Sequence, residues 1–590
     1  MTSAGALLLL LLAVPCRAQA DADSYEAHAK LFTGDKYPSS ADCRVCHPTQ
    51  FREWSTSPHA YAQLSPVFNA MQAAIDKRTS VTNGDFCIRC HTQIGMNMSE
   101  PILKSNLERH PIAREGVTCV VCHREPYAYG KASGRFFITK GPIVTPINGP
   151  TGNAELKRVL SLPGTYYVTA DPNQPGRKIH GDVHPFFTLR TAGFCGSCHD
   201  VTLGNGFRLE ELFTSFKNSP AARKGTSCQE CHMGLEPGKK SGYAFGPAAI
   251  VNGVPTRPRR HANHMFVGPD HPIVHPGIFP HNPKAAELAS IADWLTYDYG
   301  AGWGTDGFEK GVSSGTAFPK RWRDEQDRRE ARKVLEEQFA LLKEMHAARL
   351  TLLREGYRLG ALRVTRADEK SGLAFKVQVR NGIEGHNVPA GFDAERVVFL
   401  RVTVTDPAGK TVFKSGDLDP DGDLRDLHSA YVHDGKAPLD EYLFSLQATS
   451  ILKLAHGGER DEILATNLDV DPMPYVRPEP FSNVLTGRPG GARLQRRALP
   501  PHGSRWPKYR VTGSQLTGKG PYSVNVKIVA GMVPSNLIRA IQFMGFDYGM
   551  TPKQVAEAVR DGHLTVWSKT VSLSLDGQKR EIDLAALPDS

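Results

Sequence analysis

The same five-residue pattern, Cys-x-x-Cys-His, occurs five times in the N-terminal half of the chain. The runs are Cys43–His47, Cys87–His91, Cys119–His123, Cys195–His199 and Cys228–His232. Two thiols at this spacing can each add to a haem vinyl group, and the next histidine then becomes the proximal ligand of the iron. A zinc ribbon also uses cysteine pairs, but it does not need a histidine directly after each pair. The pattern therefore favours five covalently attached c-type haems over zinc binding or thiol redox chemistry.

This interpretation assigns fifteen residues. The predicted attachment sites are Cys43, Cys46, Cys87, Cys90, Cys119, Cys122, Cys195, Cys198, Cys228 and Cys231. The predicted proximal ligands are His47, His91, His123, His199 and His232.

The cysteine count agrees with this assignment, because ten of the 11 cysteines belong to the five runs. The remaining one, Cys16, lies near the apolar stretch Leu7–Leu12 and the small-x-small pattern Ala18–Ala20. We predict a cleaved signal peptide over residues 1–20, with lipidation of Cys16 as the alternative that Pro15 fits poorly. The protein is thus expected to be exported to the periplasm or the cell surface of a bacterium, where c-type haem is attached. No cysteine then remains for a disulfide.

The formal net charge is +10 and the isoelectric point is about 9.0. Each haem carries two propionates, so five haems bring about ten negative groups, which offsets much of the positive excess. No basic-aromatic motif accompanies the charge, and nucleic acid is therefore not expected as a partner.

The elements around the runs predict a multidomain α+β protein. Residues 21–285 are rich in Pro and Gly between the runs, which predicts a loop-rich, mainly helical pentahaem domain with a short helix over Pro48–Ser57. Residues 286–360 are predicted to be a helical connector, with helices at Lys284–Tyr297 and Pro319–Leu359.

Beyond this connector the apolar residues alternate with polar ones. Residues 361–585 are therefore predicted to form an immunoglobulin-like antiparallel β-sandwich with a long insertion around residues 416–500. The expected strands are Leu373–Val379, Arg396–Thr405, Thr411–Lys414, Tyr509–Thr512 and Pro521–Val529, with the final strands near Leu564–Leu575.

The second axial ligand decides what each haem does, because a six-coordinate iron mainly passes electrons whereas a five-coordinate one can bind substrate. Seventeen histidines remain outside the runs, which is more than five distal positions need. His386 is unusual, since a histidine in the loop Gly385–Gly391 of the β-domain could reach an iron across a domain interface. The predicted distal ligands are His59, His264 (with His261 as its rival), His386, His184 and His110.

Several segments resemble those of exported multihaem cytochromes related to the tetrahaem cytochrome of ammonia oxidisers and, more distantly, to hydroxylamine oxidoreductases. They are Cys43–Ala60, Gly116–His123, Phe194–Asp200, Ser227–Met233 and the Gly385–Gly391 loop. The resemblance spans most of residues 40–580 and is strongest around the haem runs. It implies bis-histidine haems stacked in close pairs, with His59, His264 and His386 as distal ligands.

These observations favour an electron-transfer protein that passes electrons through closely spaced haems between unidentified redox partner proteins. A reductase or oxidase of small nitrogen or sulfur compounds with one five-coordinate haem is the second hypothesis. It is less favoured because the Cys-x-x-Cys-Lys run of pentahaem nitrite reductases is absent from the sequence. A subunit of an extracellular cytochrome filament is the third, and association with a membrane complex or with further copies stays open.

Overall fold

The computed structural model describes residues 37–79, 81, 83–126, 134, 137–202, 208–273, 281–313, 315–453, 459–463 and 492–590. The predicted signal peptide over residues 1–20 and its Cys16 lie outside these residues. No helix within the described ranges is long and apolar enough to cross a membrane.

The N-terminal half, residues 37–282, consists of short elements joined by long loops. Its α-helices are Ser40–Arg44, Pro48–Trp54, Pro66–Arg78, Ile88–His91, Gln93–Asn97, Cys119–His123, Ala154–Leu160, Pro163–Tyr166, Ala192–Gly196, Leu212–Lys217, Pro220–Arg223 and Cys228–His232, with 3₁₀ turns at Pro111–Glu115 and Phe187–Arg190. Its paired strands are Ile147–Gly149 with Val183–Pro185, Val168–Thr169 with Arg177–Lys178, Val201–Thr202 with Arg208–Glu210, Ala244–Pro247 with Pro258–His261, and Ile250–Val251 with Val254–Pro255. Proline occupies the first turn of several of these helices, where its missing N–H costs nothing.

The connector begins differently from the prediction. The single helix expected over Lys284–Tyr297 is two helices, Pro283–Leu288 and Ile291–Trp294. The break has a local cause, because Ser290 and Asp293 form a capping box that starts a new helix after an extended Ala289.

A single long helix, α1, then runs over Glu325–Gly356, after a helix at Asp306–Gly311 and a 3₁₀ turn at Lys320–Trp322. It begins later than the predicted Pro319. The Asp324 carboxylate accepts hydrogen bonds from the backbone N–H groups of Gln326 and Asp327 and so caps the helix at this point. It ends where Tyr357 takes up extended backbone and starts the first strand of the next region.

Residues 357–590 form the β-domain, in which two antiparallel sheets face each other. The strands are β1 (Tyr357–Asp368), β2 (Gly372–Asn381), β3 (Val397–Thr405), β4 (Thr411–Ser415), β5 (Ser504–Arg505), β6 (Lys508–Val511), β7 (Tyr522–Gly531), β8 (Leu564–Leu573) and β9 (Arg580–Asp583). One sheet has the order β5-β2-β1-β9 with β6 also paired to β2, and the other has the order β4-β3-β7-β8. Their inner faces share one apolar core that includes Leu362, Phe375, Val402 and Val526. The predicted α+β class and C-terminal β-sandwich are therefore confirmed.

The β-domain also contains elements that the alternation of residues did not predict. They are the strands β1, β5 and β9, the helices Ala430–His433, Ser535–Ile541 and Pro552–Asp561, the 3₁₀ turns Gly513–Gln515, Gln542–Met544 and Asp547–Gly549, and a small sheet of Thr449–Lys453, Glu459–Glu462 and Ala492–Gln495. The small sheet and Ala430–His433 belong to the predicted insertion around residues 416–500.

The two halves are packed against each other. The helix Pro66–Arg78 of the N-terminal half shares an apolar cluster with Ser535–Ile541 and Pro552–Asp561 of the β-domain. Arg396 at the start of β3 forms a two-point ion pair with Asp270 of the N-terminal half. These contacts fix the β-domain loops beside the residues that carry the runs.

Candidate functional site

Each Cys-x-x-Cys-His run that the sequence singled out lies on a helical turn. The backbone N–H of His47 donates to the carbonyl of Cys43 at 2.9 Å, and His199 donates to Cys195 at 3.0 Å in the same way. A turn of this kind places residues three and four apart on one side of the helix. The two thiols and the imidazole of a run can therefore face the same plane.

All five runs line one continuous cavity of about 2400 Å³. This volume exceeds the roughly 300–1,000 Å³ of an ordinary small-molecule pocket. The ten cysteines of the runs are free thiols and form no disulfide with one another. A large apolar cavity with five pairs of free thiols fits the covalent attachment of several porphyrins.

The five proximal imidazoles are oriented by hydrogen bonds at Nδ1. Four bond backbone carbonyls: His47 to Ala248 at 2.8 Å, His91 to Ala62 at 2.9 Å, His123 to Asn148 at 2.8 Å and His232 to Val267 at 3.3 Å. The fifth, His199, bonds the carboxylate of Glu210 at 3.4 Å. A partner at Nδ1 fixes the ring and leaves Nε2 free, which is how histidine ligates metals in proteins.

Burial keeps most of these rings in the neutral form that binds iron. It lowers the pKa of His232 and of His123 to about 4, and it also lowers the pKa of His47 and His91. His199 is the exception. Burial alone would lower its pKa, but the hydrogen bond to Glu210 and the charge of that carboxylate raise it to about 9.

Three of the proximal rings face a second histidine across a gap. The ring centres of His47 and His180 are 6.4 Å apart, those of His199 and His59 are 6.2 Å apart, and those of His232 and His386 are 6.3 Å apart. A metal–imidazole bond is about 2 Å long and the ring centre lies about one ångström beyond the nitrogen, so two imidazoles on opposite sides of one metal have centres about 6 Å apart. The three gaps match this separation.

His386 reaches its partner from the β-domain. Its loop is held from both sides, since Asn381 donates to the His386 carbonyl at 2.9 Å and the N–H of Asn387 donates to Ser215 of the N-terminal half at 2.8 Å. The Nδ1 atom of His386 is bonded to the Asn387 carbonyl at 2.8 Å, which leaves Nε2 directed elsewhere. The β-domain thus places the ring of His386 beside that of His232 in the fifth run.

The other three predicted distal residues lie in different surroundings. His264 lines the cavity near His123. The pKa of His123 is lowered mainly by burial and also by its electrostatic interaction with His264. The Nδ1 atom of His110 accepts the backbone N–H of Ile112 at 3.3 Å, and the His184 side chain is 59% exposed beside Asp182. The structure therefore brings His264 toward a run, whereas it places neither His110 nor His184 in the lining of the cavity.

His180, which faces His47, was not among the predicted residues. It follows Ile179, a buried residue just after a two-residue strand, and no spacing to a run distinguishes it from an ordinary surface histidine. The one sequence feature that could have indicated His180 is its position next to the apolar Ile179 in an otherwise polar loop. Only the folded chain brings it opposite residue 47.

The thiols of different runs also contact each other. Cys43 lies close enough to Cys119 to raise the pKa of that thiol, and in the same way Cys198 raises the pKa of Cys90 and Cys195 raises the pKa of Cys228. These contacts place the first run beside the third, the second beside the fourth, and the fourth beside the fifth.

A matching family model agrees with this chemistry. A family model described as "Cytochrome c554 and c-prime" matches residues 42–124, which include the first three runs. A solved structure, a penta-heme cytochrome c552 from Thermochromatium tepidum, is similar at 15% sequence identity with a TM-score of 0.43, and the match covers 92% of this chain and 98% of that one. No curated protein sequence matches the chain. The repeated runs and the matched family model support a multihaem c-type cytochrome that binds haem iron and transports electrons.

Proposed function

We propose that this protein is an exported pentahaem c-type cytochrome that carries electrons between redox partner proteins. Each run holds one haem c through its two cysteines and ligates the iron through its histidine. The chemistry that the haems supply when bound is one-electron transfer at iron. The protein's own part is to hold the groups close together, to choose their axial ligands and to exclude water from them.

The observation that carries the proposal is the set of three opposed histidine pairs. We assign His180 as the sixth ligand at the first run, His59 at the fourth and His386 at the fifth, on the ring separations of 6.2 to 6.4 Å. His264 is assigned to the third run through its proximity to His123. This assignment includes His180, which was not among the predicted distal ligands, and leaves the predicted His184 and His110 without a haem. A histidine on each side of the iron favours electron passage over substrate binding.

The contacts between thiols support a continuous path. They connect the first run to the third, and the fourth run to both the second and the fifth. The charge of Cys198 also acts on Cys122, which brings the third run near the fourth. Electrons could therefore pass along the order first, third, fourth and fifth, with the second run beside the fourth.

Export is part of the proposal because c-type haem is attached outside the bacterial cytoplasm and the sequence begins with an apolar stretch typical of a signal peptide. The partners are expected to be redox proteins that approach the exposed edges of the terminal haems. Periplasm and cell surface are both compatible with these features.

The proposal is tested by spectra of the purified holoprotein and of His386→Ala. We expect five haems per chain and mainly low-spin signals. In the variant, low-spin signal equivalent to about one haem should convert to high-spin because one iron loses its sixth ligand. His433→Ala, at the end of a short surface helix, is the matched control and should leave the spectrum unchanged.

Three outcomes would contradict the proposal. A haem content other than five would refute the assignment of one haem to each run. An unchanged spectrum in His386→Ala would refute the cross-domain ligand, and a largely high-spin wild-type spectrum would favour the reductase or oxidase hypothesis instead.

A further inference from the structure

One run differs from the other four in how its histidine is held. Four proximal imidazoles bond a neutral backbone carbonyl, whereas His199 of the fourth run bonds the carboxylate of Glu210. A carboxylate draws the Nδ1 proton toward itself and makes the imidazole a stronger electron donor at Nε2. A stronger donor stabilises the oxidised metal more than the reduced one, so it lowers the reduction potential.

The position of Glu210 is fixed by the strand pairing that follows the run. Val201, two residues after His199, pairs with Glu210, which brings the carboxylate back beneath the imidazole. The backbone N–H of Phe213 donates to the His199 carbonyl at 2.8 Å and holds the second strand's continuation in place. The side chain of Glu210 is 7% exposed, so water screens its charge little.

The charges around Glu210 do not neutralise it directly. Arg208, its neighbour on the strand, pairs with Asp200 at 2.8 Å. Arg396 is the other nearby cation, and it is engaged in the two-point ion pair with Asp270. Within the described part of the chain, the side-chain partner of the Glu210 carboxylate is His199.

Glu210 therefore places a buried negative charge directly beside the ring of His199. A negative charge at this position favours the higher charge of oxidised iron bound to the ring.

The fourth run also occupies a junction. Cys198 contacts Cys90 of the second run, and Cys195 contacts Cys228 of the fifth. A change in potential at this position therefore acts on transfer to two neighbours. We propose that Glu210 is a positioning residue that gives the haem of the fourth run the lowest reduction potential of the five.

This inference rests on the proposed function, and Glu210→Gln in the full-length holoprotein tests it. Glutamine keeps an oxygen that can accept from Nδ1 but removes the charge. In a spectroelectrochemical titration we expect the lowest-potential component to move upward, by at least a tenfold change in its redox equilibrium constant, which is about 59 mV for one electron. The other components should stay in place.

Glu211→Gln is the matched control, because this neighbouring carboxylate pairs with Arg208 and Arg496 and makes no bond to His199. It should leave the lowest component unmoved. An unchanged titration in Glu210→Gln, with five haems and low-spin spectra retained, would overturn the inference and leave the proposed function intact. A wild-type holoprotein without low-spin signals would refute the proposed function itself.

A second variant keeps the inference testable if Glu210→Gln does not mature. His59→Met exchanges the sixth ligand assigned to the fourth run, and a methionine ligand raises the potential of a haem. The component that moves upward then identifies this haem. The inference requires that it be the lowest component of the wild type, and movement of a higher one would overturn it.

Discussion

The N-terminal half and the β-domain enclose their interiors by different means. In the β-domain, strands of nine to twelve residues such as β1 and β3 stack two sheets on a shared apolar core. In the N-terminal half, the longest strands have four residues, and the short helices surround a cavity of about 2400 Å³. Burial of apolar surface drives folding in both, but the second region needs a bound group to supply that surface.

This difference teaches where the stability of each half originates. The β-domain core consists of side chains that the chain itself provides, including Leu373 and Val377, both fully buried. The corresponding surface of the N-terminal half faces the cavity and includes the thiols of all five runs. Porphyrins attached to those thiols would complete the interior, so we expect folding of this half to depend on haem attachment.

The largest effect should follow from removing the haems altogether. A full-length chain with all ten run cysteines replaced by alanine should keep a folded β-domain and lose stable structure over residues 37–282. Hydrogen exchange read by mass spectrometry should show protected amides in β1, β2, β3 and β7 and fast exchange in the N-terminal half. The haem-loaded wild type is the reference. Equal protection of the two halves in the variant would show that the N-terminal half does not depend on haem for its folding.

The same contrast explains what the sequence could predict. The attachment residues were found because covalent chemistry requires a fixed local spacing, as in Cys43–His47. The β-sandwich was found because one-sided burial imposes alternation on strands such as β2 and β3. Both signals lie within a few residues of chain.

The features that escaped prediction depend on contacts between distant segments. His180 meets His47 across more than a hundred residues, and no local pattern marks it. The start of β1 was not predicted because the apolar periodicity of α1 continues up to Leu359. In the structure, pairing with β2 makes the chain a strand from Tyr357 onward. The carboxylate partner of His199 depends on strand pairing of the same kind.

A smaller effect is expected from a cavity in the β-domain core. Leu373→Ala removes a side chain with 0% exposure and should destabilise the domain by about 2–5 kcal/mol. Native-state hydrogen exchange of β1 and β2 amides should report this loss, while the haem spectra stay unchanged. Leu427→Ala, at a residue 69% exposed, is the control and should change stability by less than about 0.5 kcal/mol. A loss of haem signal in Leu373→Ala would show that the halves do not have separate sources of stability.

The smallest predicted effect is a pH dependence confined to the β-domain. Burial, and then the charge of Asp419, raise the pKa of Asp423 to about 7, against an ordinary value of 3.8. The folded chain therefore holds a proton that the unfolded chain releases, so the stabilisation is complete below about pH 4 and is lost as the pH rises through 7. Asp423→Asn cannot ionise, and its amide oxygen can still accept the N–H of Asn536 that the carboxylate accepts at 2.6 Å.

Urea unfolding followed by far-UV circular dichroism at pH 5 and pH 8 measures the contribution of Asp423 to the free energy of unfolding. The wild type should lose about 1–2 kcal/mol more than Asp423→Asn between the two pH values. Asp434→Asn is a reference that should not alter the difference between pH 5 and pH 8, since the ion pair with Lys436 lowers the pKa of Asp434 and its contribution is complete above about pH 4. Parallel pH profiles for the wild type and Asp423→Asn would show that the buried carboxyl is already ionised in the folded domain. The β-domain would then contain a buried charge that neighbouring groups fully compensate. Burial of apolar side chains alone would no longer explain the stability of this domain.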